Sequence, residues 1–292
     1  MPKRSLTVVS AALLLILSWF ASAPALAKNS NSLQVKGSDT MVNLVQAWVE
    51  EYMKKEPQAF IAVTGGGSGT GLAALINGTC DIAVSSRQIK GQERELAGKK
   101  GVTPTEYKVA LDGLAVVVNP ANPVSQLTLD QLVDIFTGKI KNWKELGGED
   151  LNIVILSREV NSGTHVYFKE HVLRKNDAKS TAEFSSDALM MPSSQAIADE
   201  VKNNRSAVGY YGMGYIGKDH KAVSVAKAEG SPHVFPSVER VIAGDYPISR
   251  PLFFYVNGQG SEDVKKFMDF ILSPEGQAIV TQVDFVPIQI KS

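Results

Sequence analysis

Residues Ile155-Leu156-Ser157-Arg158-Glu159-Val160-Asn161-Ser162-Gly163-Thr164 run from an apolar strand end, through hydroxyl, charged and glycine residues, into the opening of a helix. Val35-Lys36-Gly37-Ser38-Asp39-Thr40 and Val63-Thr64-Gly65-Gly66-Gly67-Ser68-Gly69-Thr70-Gly71 share this layout. A helix N-terminus presents unpaired backbone N–H groups and the positive end of a macrodipole, so each junction can hold an anion. Three in one chain point to an anion receptor.

Outward from these junctions, helical and strand patterns alternate. Met41, Leu44, Val45, Trp48, Val49 and Tyr52 recur at helical spacing behind a Ser38 or Asp39 cap and stop before Pro57. Thr128-Leu129-Asp130-Gln131 fits a capping box for a helix through Phe136, ended near Gly138. Further helices are expected after Ser162, over Ser194 to Asn203, and in two steps from Ser261 to Gln282, the second opening at Ser273-Pro274. Strands are expected at Leu33 to Val35, Phe60 to Thr64, Ile82 to Ser85, Leu114 to Val118, Ile153 to Leu156, Val208 to Tyr211 and Leu252 to Val256. This order predicts an α/β fold with largely parallel sheets, whose ligands lie at the carboxyl ends of strands, where the junctions fall.

Lys3 and Arg4, the apolar run from Val8 to Phe20 and the small-x-small site Ala25-Leu26-Ala27 make up a secretory signal peptide, placing the mature start near Lys28. Loss of residues 1–27 removes two basic residues and no acid, leaving 28 basic against 30 acidic. A mildly acidic chain without a basic stripe is not built for nucleic acid. The lone Cys80 offers no internal disulfide and reads as a small buried residue. A mature chain of this length suits two lobes rather than one core.

A fourth segment, Asp81-Ile82-Ala83-Val84-Ser85-Ser86-Arg87, ends a buried strand in two hydroxyls and a guanidinium. Together the segments supply Thr40, Ser68, Thr70, Ser85, Ser86, Ser162 and Thr164 as neutral donors, with Arg87 and Arg158 as charged ones. Charge-assisted bonds contribute about 1.5–3 kcal/mol each, and a micromolar complex needs about 8 kcal/mol. Part of the set would therefore hold a tetrahedral oxyanion, with Arg158 able to add a two-pronged fork.

The ordered set of GSDT at 37–40, GGGSGTG at 65–71, DIAVSSR at 81–87, IFTGKIKNW at 135–143, SREVNSGT at 157–164 and YPISRPL at 246–252 resembles the periplasmic phosphate-binding components of Pst-type ABC importers. The resemblance runs from about Leu33 to the C-terminus. It implies a type II periplasmic-binding-protein fold, two α/β lobes joined by a hinge that the chain crosses twice, with lobe I at 28–112 and 246–292 and lobe II at 113–245. It also implies a monomer that closes on inorganic phosphate and delivers it to a membrane permease, with no cofactor and no metal. By position, Thr40, the Met41 N–H, Ser68 and Ser86 would touch phosphate from the first lobe, and Arg158, Ser162, Gly163 and Thr164 from the second. Ser38, Asp39, Gly69, Ser85, Arg87 and Asn161 are secondary candidates.

Two departures bear on selectivity. Ser86 stands where many members carry an aspartate that accepts the proton of hydrogen phosphate and repels sulfate. Val160 replaces an acidic residue that would orient Arg158, for which Asp39 or Glu159 could substitute. Sulfate, arsenate or molybdate therefore remain alternative ligands, and a sensing role remains an alternative to transport.

The rival class is a phosphoester hydrolase using Ser68 or Ser162. Ser68 lacks the last glycine of a nucleophile elbow, Asp219 stands where a P-loop needs Ser or Thr after Lys218, and His165, His171, His220 and His233 show no metal-ligand spacing. Surface positions are expected for these histidines except His165, which could approach the anion from the first helical turn. Thr70 is expected to cap its helix, and Trp143 to pack in a core.

Overall fold

The structure, a computed structural model, describes residues 32–288. The expected signal peptide lies outside the described residues. Strands β1 (Ser32–Gly37), β2 (Phe60–Thr64), β3 (Ile82–Ser85), β4 (Pro104–Val118), β5 (Gln126–Thr128) and β6 (Val154–Arg158) are followed by β7 (Leu189–Met191), β8 (Ala207–Gly212), β9 (Lys221–Ala222), β10 (Ser224–Ala226) and β11 (Ser249–Asn257). The helices are α1 (Val42–Lys55), α2 (Ser68–Ile76), α3 (Gly91–Lys99), α4 (Leu129–Phe136), α5 (Gly163–Phe168), α6 (Ser194–Asn203), α7 (Val238–Ile242), α8 (Glu262–Leu272) and α9 (Pro274–Gln282).

The main sheet runs β2-β1-β3-β11-β4-β8-β6-β7, with β9 also on β4. It is mixed rather than largely parallel. β1 pairs in parallel with β2 and β3, and β6 with β7 and β8, whereas β11 is antiparallel to β3 and β4, and β4 to β8. The antiparallel centre follows from connectivity, because β4 leads out of the first half and β11 returns beside it. β4 pairs with β11 over 104–113 and with β8 over 114–118. It starts well before the expected Leu114, since Pro104 and the exposed or half-buried residues up to Lys108 hide the strand pattern.

The buried apolar side chains divide along that ribbon. One cluster gathers Leu33, Trp48, Val109, Leu252, Phe254 and Phe267, and another gathers Leu114, Val116, Phe136, Trp143, Phe168, Tyr210 and Ile248. In the first, the Trp48 indole meets Phe254 edge-on at 5.8 Å and donates to the Gly276 carbonyl, tying α1 to α9. In the second, Trp143 is core, as expected, and its indole donates to the Ser206 carbonyl. Each large apolar side chain removed from water contributes about 1.5–3 kcal/mol.

Most helix signals hold to a residue or two. The Thr128–Gln131 capping box opens α4, Ser193 caps α6, Ser261 caps α8, and Ser273 with Pro274 opens α9. Two readings need correction, and a third, the helix after Ser162, holds but is short. Ser38 precedes a short 3-10 turn over Asp39–Met41 without a side-chain cap bond, and α1 begins only at Val42. Thr70 does not cap α2: its hydroxyl donates back to the Gly66 carbonyl. The helix after Ser162 does not continue as one α-helix but widens into a π-turn over Lys169–Leu173. α3 had no apolar period to reveal it, with Ala97 its one buried residue.

Candidate oxyanion-binding site

The strand-to-helix junctions meet where β1, β3 and β6 end. Two glycines set the approach within the first half. Gly37 has φ +149°, and an added Cβ would lie 2.0 Å from the Val84 carbonyl oxygen; at Gly71 it would lie 2.4 Å from the Lys36 carbonyl oxygen. Only a bare backbone lets α2 sit against the ends of β1 and β3.

Across the cleft, the two halves touch. The Thr40 and Thr164 hydroxyl oxygens are 2.7 Å apart, the Ser68 and Ser86 hydroxyls 3.3 Å apart, and the Ser86 N–H donates to Ser68 Oγ at 3.0 Å. Ser68, Ser86 and Thr164 are fully buried. A Cβ on Gly163 would lie 2.3 Å from Ser68 Oγ and 2.7 Å from Ser86 Oγ, so the start of α5 is seated on those serines. Ser162 caps α5, its hydroxyl oxygen accepting the Thr164 and His165 N–H groups, while its own O–H can still donate. The Met41 N–H, an expected donor, bonds the Ser38 carbonyl at 3.2 Å.

Asp39 supplies the carboxylate that Val160 cannot. Its Oδ2 accepts from Arg158 Nη1 at 3.0 Å and from the Ser194 N–H at 2.8 Å. Val160 is 73% exposed, pointing out of the site. Arg158 is committed to the protein: Nε donates to the Met191 carbonyl, Nη1 to Asp39 and Ser194 Oγ, and Nη2 to the Pro192 carbonyl. Four of its five N–H groups are used, so the expected fork is not free in this arrangement.

The secondary candidates are engaged with protein partners. The Gly69 N–H donates to the Asn161 carbonyl at 3.0 Å, and Asn161 Nδ2 to the Gly66 carbonyl at 2.9 Å, a pair of bonds across the cleft. Ser85 Oγ donates to the Arg87 carbonyl. Arg87 forms a bidentate pair with Glu93. Burial would raise the Glu93 carboxyl, but bonds from Arg87 and the Lys90 N–H outweigh it and hold the group below the usual range. Ser38 is buried, its N–H bonded to the Val84 carbonyl.

His165 is buried and bonded through Nδ1 to Ser157, with burial first and nearby Lys169 second depressing its pKa to about 4. It is therefore neutral at physiological pH. His171 and His220 are half-buried, against the expected surface, and His233 is exposed. His171 bonds the Pro247 carbonyl and His220 pairs with Tyr211. Cys80 is buried, as expected, and burial pushes its thiol up to about 12. Among the described residues no cluster of metal-ligating side chains forms.

The sequence reading missed Asp112 and Arg250, both buried. They face each other as cross-strand partners on β4 and β11, with Asp112 Oδ2 accepting from Arg250 Nε at 3.1 Å and Nη2 at 2.9 Å. Asp112 Oδ1 accepts the Met213 N–H, and Arg250 Nη2 also donates to Thr164 Oγ1 at 2.9 Å. Burial pushes the Asp112 carboxyl up, and the guanidinium opposes it. The available signal was opposite charges interrupting two apolar strands, Val109 to Val118 and Ile248 to Val256.

A mixed sheet shared by two cores, with facing hydroxyl-rich helix starts between them, is the architecture of periplasmic binding proteins, and the family model for the PBP superfamily domain matches residues 22–275. Within it, the chain belongs to the family of phosphate-binding proteins PstS. It is 33% identical over 279 residues to phosphate-binding protein PstS of Pseudomonas aeruginosa, covering 90% of this chain and 84% of the relative. It is 34% identical over 262 residues to that of Bacillus subtilis, covering 89% and 82%. Among solved structures, a putative phosphate ABC transporter substrate-binding protein from Clostridium perfringens with bound phosphate superposes at a TM-score of 0.80, with 35% identity and coverage of 89% and 100%.

Proposed function

We propose that this chain is an exported, monomeric solute-binding protein that captures inorganic phosphate in the cleft and delivers it to the membrane permease of an ABC importer. The observation that carries this reading is the meeting of Thr40 with Thr164 and of Ser68 with Gly163 between the two cores. It is supported by a relative of 35% identity whose structure holds phosphate. Lobe I is 28–112 with 246–292 and lobe II is 113–245; the apolar clusters support this division except at Tyr246, Ile248 and Val286, which pack with the second. Thr40, Ser68 and Ser86 donate from lobe I, and Ser162, Thr164, the Gly163 N–H and the remaining Arg158 N–H donate from lobe II. The Met41 N–H joins them if its weak turn bond is exchanged on binding.

The protein works outside the cytoplasm after cleavage near Lys28. Among the described residues no helix is long and apolar enough to cross a membrane. The role is binding rather than hydrolysis, a reading supported by the imidazole rings of His165, His171 and His220, which bond groups other than Ser68 and Ser162. Calorimetric titration of the phosphate-stripped mature protein with phosphate, sulfate, arsenate, molybdate and a phosphonate tests the ligand; tighter binding of sulfate than phosphate would refute it. Deleting the gene should slow phosphate uptake at low phosphate, and unchanged uptake would favour sensing.

A further inference from the structure

Arg250 is 2% exposed and only partly used. Nε and Nη2 are held by Asp112 and Thr164, but Nη1 is buried with no hydrogen-bond partner among the described residues. Nη1 carries two N–H groups. A charged donor left unpaired in the interior is costly, and a partner that arrives with the ligand removes that cost. Arg158 presents the opposite case, with four of its five N–H groups bonded to protein.

The placement fits such a partner. Nη2 of the same guanidinium touches Thr164 Oγ1, itself 2.7 Å from Thr40 Oγ1. A cleft of about 360 Å³ is lined by Ser86 and Arg250 together, with Lys90, Tyr167 and His171 beside them. The Tyr167 ring covers the guanidinium at 5.4 Å, and its hydroxyl is fixed on the Ser249 carbonyl. Asp112, paired in register, holds Nε and Nη2 and so aims Nη1.

We propose that Arg250 is a phosphate-contacting arginine whose Nη1 donates to the bound oxyanion beside Thr164 and Ser86, with Asp112 fixing the guanidinium. This rests on the phosphate reading above. Each arginine of the site then has its own carboxylate, Asp39 for Arg158 and Asp112 for Arg250. The one with a wholly unpartnered nitrogen comes from β11, on the crossing, rather than from the junction that begins α5. A ligand held by Arg250 is thereby bonded to the hinge itself.

Arg250→Lys keeps the charge but loses the planar fork. Calorimetry at pH 7 should show phosphate binding weakened at least tenfold, with the melting temperature of the phosphate-free protein shifted by no more than a few degrees. A dissociation constant within twofold of wild type overturns the proposal. Should that variant fail to fold, Asp112→Asn/Arg250→Gln, which removes both charges, is titrated with the same expectation. Crystals of the wild-type protein with phosphate give a readout no structural role could mimic: Nη1 should lie at hydrogen-bond distance, about 3 Å, from a phosphate oxygen. Bound phosphate with Nη1 beyond contact of every oxygen overturns the proposal and leaves the function intact. Wild-type protein that takes up no phosphate overturns the function instead.

Discussion

Asp39 Oδ2 lies 3.0 Å from Arg158 Nη1, joining residues 119 positions apart across the cleft. Asp39 belongs to the turn that leads into α1, and Arg158 ends β6. The pair can form only when the halves meet, and the Ser194 N–H on the same oxygen adds α6 to the contact. The contact between the halves therefore includes a charged bond that needs no ligand.

Asp39→Ala should weaken phosphate binding by about one to two orders of magnitude, since a charge-assisted bond is worth about 1.5–3 kcal/mol. Titration calorimetry of both proteins measures it. An unchanged dissociation constant would mean that Arg158 needs no carboxylate.

Gly163→Ala should lower affinity at least tenfold while leaving the melting temperature of the phosphate-free protein nearly unchanged. Its methyl group would meet Ser68 Oγ at 2.3 Å only when α5 is seated. Titration and a thermal melt on the same sample separate the two effects, and equal affinity would show that the serines give way.

Ser86→Asp should raise discrimination against sulfate, because a carboxylate beside Ser68 accepts a proton that phosphate has and sulfate lacks. Paired titrations at pH 7 decide this. Sulfate binding that does not fall relative to phosphate removes position 86 from the reading of the ligand proton.

His165 sets an acid limit. Its folded pKa of about 4 lies below the usual 6.5, so the unfolded chain binds more protons between those values. Stability contributed by the neutral ring is complete above about pH 6.5 and is lost as pH falls towards 4, on the order of 3 kcal/mol in all. His165→Gln should flatten that part of the stability-against-pH curve in urea melts. A curve of unchanged slope would assign the acid sensitivity elsewhere.

The residues that read well from sequence are those whose signal is local. The Thr128–Gln131 box, the Ser273-Pro274 restart and the junctions at 37–40, 65–71 and 157–164 each depend on neighbours within a turn. What was hidden depends on distant pairing. Arg158 looked like a free fork until Met191, Pro192 and Ser194 occupied it. Asp112 and Arg250 are 138 positions apart and become partners only through the register of β4 and β11. The parallel expectation failed for the same reason: βα alternation describes each flank but does not show that the returning strand re-enters at the centre.

β4 is one unbroken strand of 15 residues that serves two cores, paired to β11 beneath the first and to β8 beneath the second. Fraying of either core therefore strips hydrogen bonds from a rail on which the other is built. The two cores are therefore bound to melt together, so a calorimetric scan should show one transition whose van't Hoff and calorimetric enthalpies agree.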